Sequence, residues 1–264
     1  MKASYYFKRI MNDKTKLFFI ILLFTIPMLD LILTFINVPM GAYPERADVN
    51  TFLYGSYVHN HFSYPLMLYF LPVYLLIVAG EDCFEDVTTG YRNVLISKWG
   101  KKNYVKTNII KAFCISFSVI FISLLLNLLM AHIIYSGSEY SQIEELLVYY
   151  EPGDLYYIEA KYPLLTNFIY LFPISFMSGM LGSAGAALAM AIKNRKIVYP
   201  LLFLLWFILF LPRILAFDDI IMLAMQPFNE TSLDTKVLIF VITSCIFVAV
   251  TVAAAVKEIR YEKV

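Results

Sequence analysis

The residues with the greatest chemical potential stand in one run, Glu81-Asp82-Cys83-Phe84-Glu85-Asp86. Carboxylates at i, i+3 and i+4 share a helix face. Such a face can hold Mg²⁺ and, through it, a diphosphate, as Asp-rich motifs do in membrane prenyltransferases. A two-metal diphosphate site also needs a second acidic motif on the same side. The other adjacent acidic pairs, Glu144-Glu145 and Asp218-Asp219, are predicted on the opposite face of a membrane. A metal-dependent membrane enzyme is therefore the alternative reading. His59 and His61 flank Asn60 without a carboxylate or cysteine to complete a metal set, and His132 reads as a packed or interfacial residue. No G-x-x-x-x-G-K-[ST], H-E-x-x-H or G-x-S-x-G occurs, so the chain carries no P-loop, zincin or nucleophile-elbow motif of its own. Cys83, Cys114 and Cys245 form no C-x-x-C, and none falls in an external loop. No bound metal or cofactor is expected.

The elements that must position these residues are membrane spans. Of 264 residues, 60% are hydrophobic and 16% charged, against about 25% charged in ordinary soluble domains. The mean hydropathy is +0.70. This composition excludes a disordered chain and a disulfide scaffold, and it argues against a soluble enzyme. The net charge of +1 gives no reason to expect nucleic acid as a partner. A helix needs about 20 apolar residues to cross the hydrocarbon core. Six stretches qualify, at roughly 17–36, 62–80, 112–135, 164–192, 197–216 and 237–256. Seventeen of the 21 Lys and Arg residues fall in alternate segments: 1–16, 81–111, 193–196 and the tail. The positive-inside rule then places both termini in the cytoplasm. The first apolar stretch is too long for a cleavable signal peptide, and no small-x-small site follows it. The expected fold is one all-α transmembrane domain, 1–264.

Four further segments complete this reading. Residues 1–16 put Ala3, Tyr6, Phe7, Ile10 and Met11 on one helical face and charged residues on the other, as an interfacial amphipathic helix does. The alternative is a basic tail that only sets topology. The cytoplasmic loop 81–111 starts acidic and turns basic from Arg92. Its apolar stripe Phe84, Val87, Tyr91, Val94 and Leu95 is interrupted by Gly90, which suggests a short surface helix broken at the glycine. The external loop 136–163 is acidic and rich in tyrosine. Residues 217–228, opened by Asp218 and Asp219, are apolar but too short to cross, so they read as an external re-entrant segment. Asp30 is the one acid inside a span. Either it serves a pathway together with Asp218 and Asp219, or it tolerates its depth through water access or a shorter span. Span four carries Ser175, Gly179, Gly182 and Ser183, small residues that let helices pack closely within the bundle or against a second copy.

The segment Glu85-Asp86-Val87-Thr88-Thr89-Gly90-Tyr91-Arg92-Asn93-Val94-Leu95 resembles the E-x-x-x-x-G-[T]-x-[RK]-x-[LV]-L stretch after the second span of ABC-2-type permeases. Here Tyr91 stands where that family usually has Thr, and Arg92 comes one position early. The span count, the N-terminal helix and the segment between spans five and six are similar to that family as well. The resemblance implies the permease subunit of an exporter, and ATP and Mg²⁺ would belong to two copies of a separate ATPase. It also implies a second permease subunit, identical or homologous. Its compactness resembles permeases for peptides, lantibiotic immunity and drugs, so the implied cargo is hydrophobic or amphipathic. The loop after span two would then be a coupling helix. Phe84, Val87, Tyr91 and Leu95 would be its knobs, Gly90 its break, and Glu85 and Arg92 its orienting charges.

Overall fold

Apolar runs of this length leave the backbone no water to bond, so each run satisfies its own amides as a helix. The computed structural model describes residues 3–37, 63–134, 162–208 and 233–261, which are helical almost throughout, with no strand among them. Helix α1 (Ala3–Asn12) leads through Asp13 into α2 (Lys14–Asn37). The Asp13 carboxylate accepts from the backbone N–H groups of Thr15 (2.9 Å) and Lys16 (3.2 Å), which starts α2. Helix α3 (Ser63–Leu75) runs through a π turn, Leu76–Gly80, directly into α4 (Glu81–Thr88). There follow α5 (Tyr91–Trp99), α6 (Lys101–Ile134), α7 (Pro163–Ile192), α8 (Arg195–Phe207) and α9 (Leu233–Tyr261).

Five stretches are long and apolar enough to cross a membrane: Lys14–Leu33, Leu66–Thr88, Lys101–Ile134, Leu171–Ile192 and Val237–Arg260. The chain thus has the make-up of a multi-pass helical membrane protein. The expected span 197–216 is described only to residue 208, and segments 38–61, 136–161 and 217–228, with Asp218 and Asp219, lie outside the described residues. Two helices run past their expected ends. Span two continues to Thr88, and α6 begins at Lys101 rather than near residue 112. Segment 81–111 is therefore not one surface helix. It is the prolongation of two long helices, with α5 between them.

Helix α7 is the axis of the bundle. In its central stretch 89% of the residues are buried, against 17% in α9. It packs most extensively on α6, then on α9, and also on α3, α4, α8 and the π turn. Small residues make this possible. A β-carbon at Gly182 would overlap the Ser116 side chain, one at Gly179 would meet the Phe113 ring, and one at Gly80 would lie 3.6 Å from the Ala186 nitrogen. Ser175 and Ser183 are buried and bond within their own helix, donating to the carbonyls of Leu171 (2.8 Å) and Met180 (2.7 Å).

Prolines in α2 and α3 each free a carbonyl four residues back, and a neighbouring helix takes it up. Ser123 Oγ donates to Leu23 O at 2.6 Å across the position vacated by Pro27. Trp206 Nε1 donates to Leu68 O at 2.9 Å in the same relation to Pro72. Asn127 Nδ2 adds a bond to Pro27 O at 2.7 Å. Asp30, one turn further along that face of α2, is buried.

Because Gly182 has no room for a side chain, Gly182→Val is expected to push α6 from α7 at a cost of about 1–3 kcal/mol. An unfolding midpoint in detergent equal to that of the unmodified protein would contradict this packing.

Candidate functional site

The four acids of α4 lie at i, i+1, i+4 and i+5, so they cover about half of the helix surface. A helix with this pattern can be enclosed only if each carboxylate finds cations and donors, since an unpaired buried charge costs several kcal/mol. Asp82, 2% exposed, has three cations from three helices. Arg9 Nε of α1 is 3.1 Å away, Lys111 Nζ of α6 is 2.8 Å away, and Lys16 Nζ of α2 is in direct contact. Arg9 also reaches along α4. It donates through Nη1 to Asp86 Oδ1 (2.7 Å) and through Nη2 to Glu85 Oε2 (2.9 Å). Tyr104 Oη of α6 donates to the other Asp86 oxygen at 3.2 Å. Lys16 is fully enclosed and also meets Asp13 Oδ2 at 3.1 Å.

Two smaller groups extend this cluster. Glu81, at the edge of the acidic half away from Asp86, pairs with Arg195 Nη2 (2.6 Å) and accepts from Tyr199 Oη (2.9 Å), both on α8. The Arg195 guanidinium also lies 5.8 Å from the Phe84 ring, which stacks on Tyr199. At the end of α9, buried Glu258 contacts Arg92 of α5, and Lys193 Nζ lies 3.9 Å from it. Lys193 has a left-handed backbone (φ 59°) as the residue that ends α7. Helices α1, α2, α6, α8 and α9 are thereby tied to α4 or α5.

Outside the expected and observed spans, three of these groups titrate away from their ordinary values. Burial alone would lower the Arg9 guanidinium, but Asp82, Asp86 and Glu85 outweigh it and raise it, so Arg9 stays charged. Burial would raise the Asp13 carboxyl, but its bonds from the Lys16 and Thr15 amides and the Lys16 ammonium hold it below the usual range. Lys193 is lowered, first by burial and then by Arg92 and Lys101, against the pull of Glu258.

The residues expected to face a partner divide. Phe84 and Leu95 are buried in the core, and Arg92 is turned inward onto Glu258. None of the three is available as a docking group in this arrangement, because α4 continues a span and its apolar side already faces α8. Glu85 is half-buried against Arg9, and Val87 is half-buried. Gly90 and Tyr91 are exposed, joined by Val94 one turn on. Gly90 has a left-handed backbone (φ 71°) and separates α4 from α5, as its glycine character suggests. Sequence reasoning gave no site role to Arg9, Lys16, Tyr104 or Glu258, and met Lys111 only as the lysine at the start of the next span. The available signal was that the lysines stand just inside apolar runs, which also marks an ordinary membrane boundary. No three metal-ligating side chains converge among the described residues. The oxygens of Asp82 and Asp86, the expected ligands of a diphosphate-bound metal, are instead engaged by cations and Tyr104.

No family model matches the chain, and no solved structure matches it. A protein of Bacillus subtilis (strain 168), described as "Uncharacterized protein YybM", is 29% identical over 256 residues, covering 97% of both chains.

Asp82→Ala should leave Arg9, Lys16 and Lys111 facing one another without their central carboxylate. The expected loss is about 3–5 kcal/mol, read as a lower thermal midpoint in detergent, and an unchanged midpoint would contradict the cluster. The Asp13 contribution follows from its lowered value. It is fully present above the ordinary carboxyl range and is lost as pH falls through the lower folded value, below about pH 4. Asp13→Asn should therefore flatten the stability profile on the acid limb only; equal slopes in both proteins would refute the linkage.

Proposed function

We propose that this chain is the membrane-spanning permease subunit of an ABC-2-type exporter, driven by a separate ATPase. The observation that carries the reading is the α4–Gly90–α5 hairpin. It is a charged structure held by ion pairs to α1, α2, α6, α8 and α9, and it exposes a Tyr91–Val94 edge at its tip. A rigid hairpin tied to all these helices can pass a push from one surface to the whole bundle, and in an ATP-driven exporter a chain without a P-loop receives its energy by contact. In this reading six spans place both termini in the cytoplasm, and a second permease subunit and two ATPase copies complete the transporter. ATP and Mg²⁺ reside on the ATPase. The cargo is hydrophobic or amphipathic, peptide or drug-like, and the membrane is the bacterial plasma membrane.

The reading is tested by expressing the chain with a P-loop ATPase encoded beside it. The ATPase should co-purify, and single cysteines at positions 97 and 103 should label only after permeabilisation. Gly90→Val, which forces a β-branched residue into a left-handed backbone, should leave insertion intact and abolish ATP-driven transport. Labelling in intact cells, or Mg²⁺-dependent turnover of a prenyl diphosphate by the chain alone, would overturn the proposal.

A further inference from the structure

Helices α6, α7 and α9 leave a groove between them, with a cavity volume of about 230 Å³. Phe113 of α6, Phe176 and Met180 of α7, and Val248 and Val252 of α9 line it. Two hydroxyls also reach its wall, but both donate to their own helices: Ser183 Oγ to Met180 O and Thr251 Oγ to Phe247 O, each at 2.7 Å. The wall is therefore apolar in effect. Its lip is open, since Val248 and Val252 are 50% and 54% exposed. An aromatic strip prolongs it. Phe113 meets Phe176 edge-on (5.6 Å between centroids) and stacks on Phe117 (6.2 Å), which meets Phe172 edge-on (5.8 Å). A long apolar chain fits this outline better than a compact molecule.

Toward the start of α6 the same face changes character. Lys102 and Lys106 precede Phe113 by eleven and seven residues, about three turns and two, so all three share one side of the helix. Ile110 lies between them and is exposed. Both lysines are exposed, and neither is joined to an acid of the described chain. At this end of α6, α7 and α9 the one described acid is Glu258, buried and turned onto Arg92. The surface thus runs from two uncompensated positive charges into an apolar groove, which Phe113 enters about 10 Å along the helix axis from Lys106.

A groove of this kind cannot choose a lipid by itself, because the surrounding chains are as apolar as its wall. Selection has to come from charge. A phosphate that carries no cation of its own meets both lysines, whereas a zwitterionic headgroup brings a competing ammonium. We infer that the α6–α7–α9 groove binds an anionic glycerophospholipid, with one acyl chain along Phe113 and Met180 and the phosphate on Lys102 and Lys106. This inference does not depend on the permease reading. It requires only that these helices lie in a membrane.

The test places the full-length chain in nanodiscs of phosphatidylglycerol and phosphatidylcholine with matched acyl chains, and counts the lipid it retains by native mass spectrometry. The unmodified protein should retain phosphatidylglycerol about tenfold over phosphatidylcholine. Lys102→Gln with Lys106→Gln should abolish that preference, and Lys102→Arg with Lys106→Arg should keep it. A phosphatidylglycerol with a photoreactive group at mid-chain should label the peptides that carry Phe113 or Met180. Val248→Trp, which fills the groove from its open lip, should remove that labelling. Equal retention of the two lipids by the unmodified protein overturns the site, as does a preference that survives in the glutamine variant. Labelling elsewhere, or labelling undiminished in Val248→Trp, overturns the groove as the seat of the chain. So does a dimer that Val248→Trp dissociates, which would make the occupant a second copy of this chain.

Discussion

A carboxylate with almost no access to solvent can remain charged only where cations are brought to it, and Asp82 imposes that condition on the rest of the bundle. Its three cations come from α1, α2 and α6. Those helices must therefore present Arg9, Lys16 and Lys111 to one place and in one register, and the prolongation of α3 into α4 supplies the acid there. The other ion pairs follow from the same arrangement. Once α4 is held, Glu81 faces α8, and α5 turns back so that Arg92 reaches the end of α9.

The interior meets a different requirement. Lipid gives helices no hydrophobic reason to associate, so close backbone approach and cross-helix hydrogen bonds have to supply the cohesion. Helix α7 provides the first through Gly179, Gly182 and Gly185, which sit against α6 and α8. Prolines provide the second by exposing carbonyls that Ser123 and Trp206 bond. The two devices are complementary. A small-residue face brings helices together with little directional preference, whereas a donor aimed at one freed carbonyl fixes their rotation.

Much of this was legible in the sequence, for physical reasons that also mark where legibility stops. Apolar run length identified the helices of the described spans, because desolvated backbone has few other options. Run length could not give their ends at the charged side. There α4 and α6 continue because Asp82 and Lys111 neutralise each other, and the two residues are 29 apart in sequence. The stripe Phe84, Val87, Tyr91, Val94 and Leu95 was read as one outward face. Periodicity shows which residues share a side, not what covers it. Phe84 and Leu95 prove to be core, and the outer row is Tyr91 and Val94. Gly90 was readable because a break between two helical patterns at a glycine has few other meanings, and its backbone is left-handed.

The pairing at Glu258 has a consequence for how the protein is made. Arg92 and Lys193, its two cationic neighbours, are synthesised long before it, and the acid arrives only in the final turns of α9. Until then both cations lack the carboxylate they share, and α5 lacks its tie to the last helix. Without Glu258, Arg92 would lose its link to α9. The contact thus joins residues 166 apart in the chain, and α5 gains this tie only when the last helix is in place.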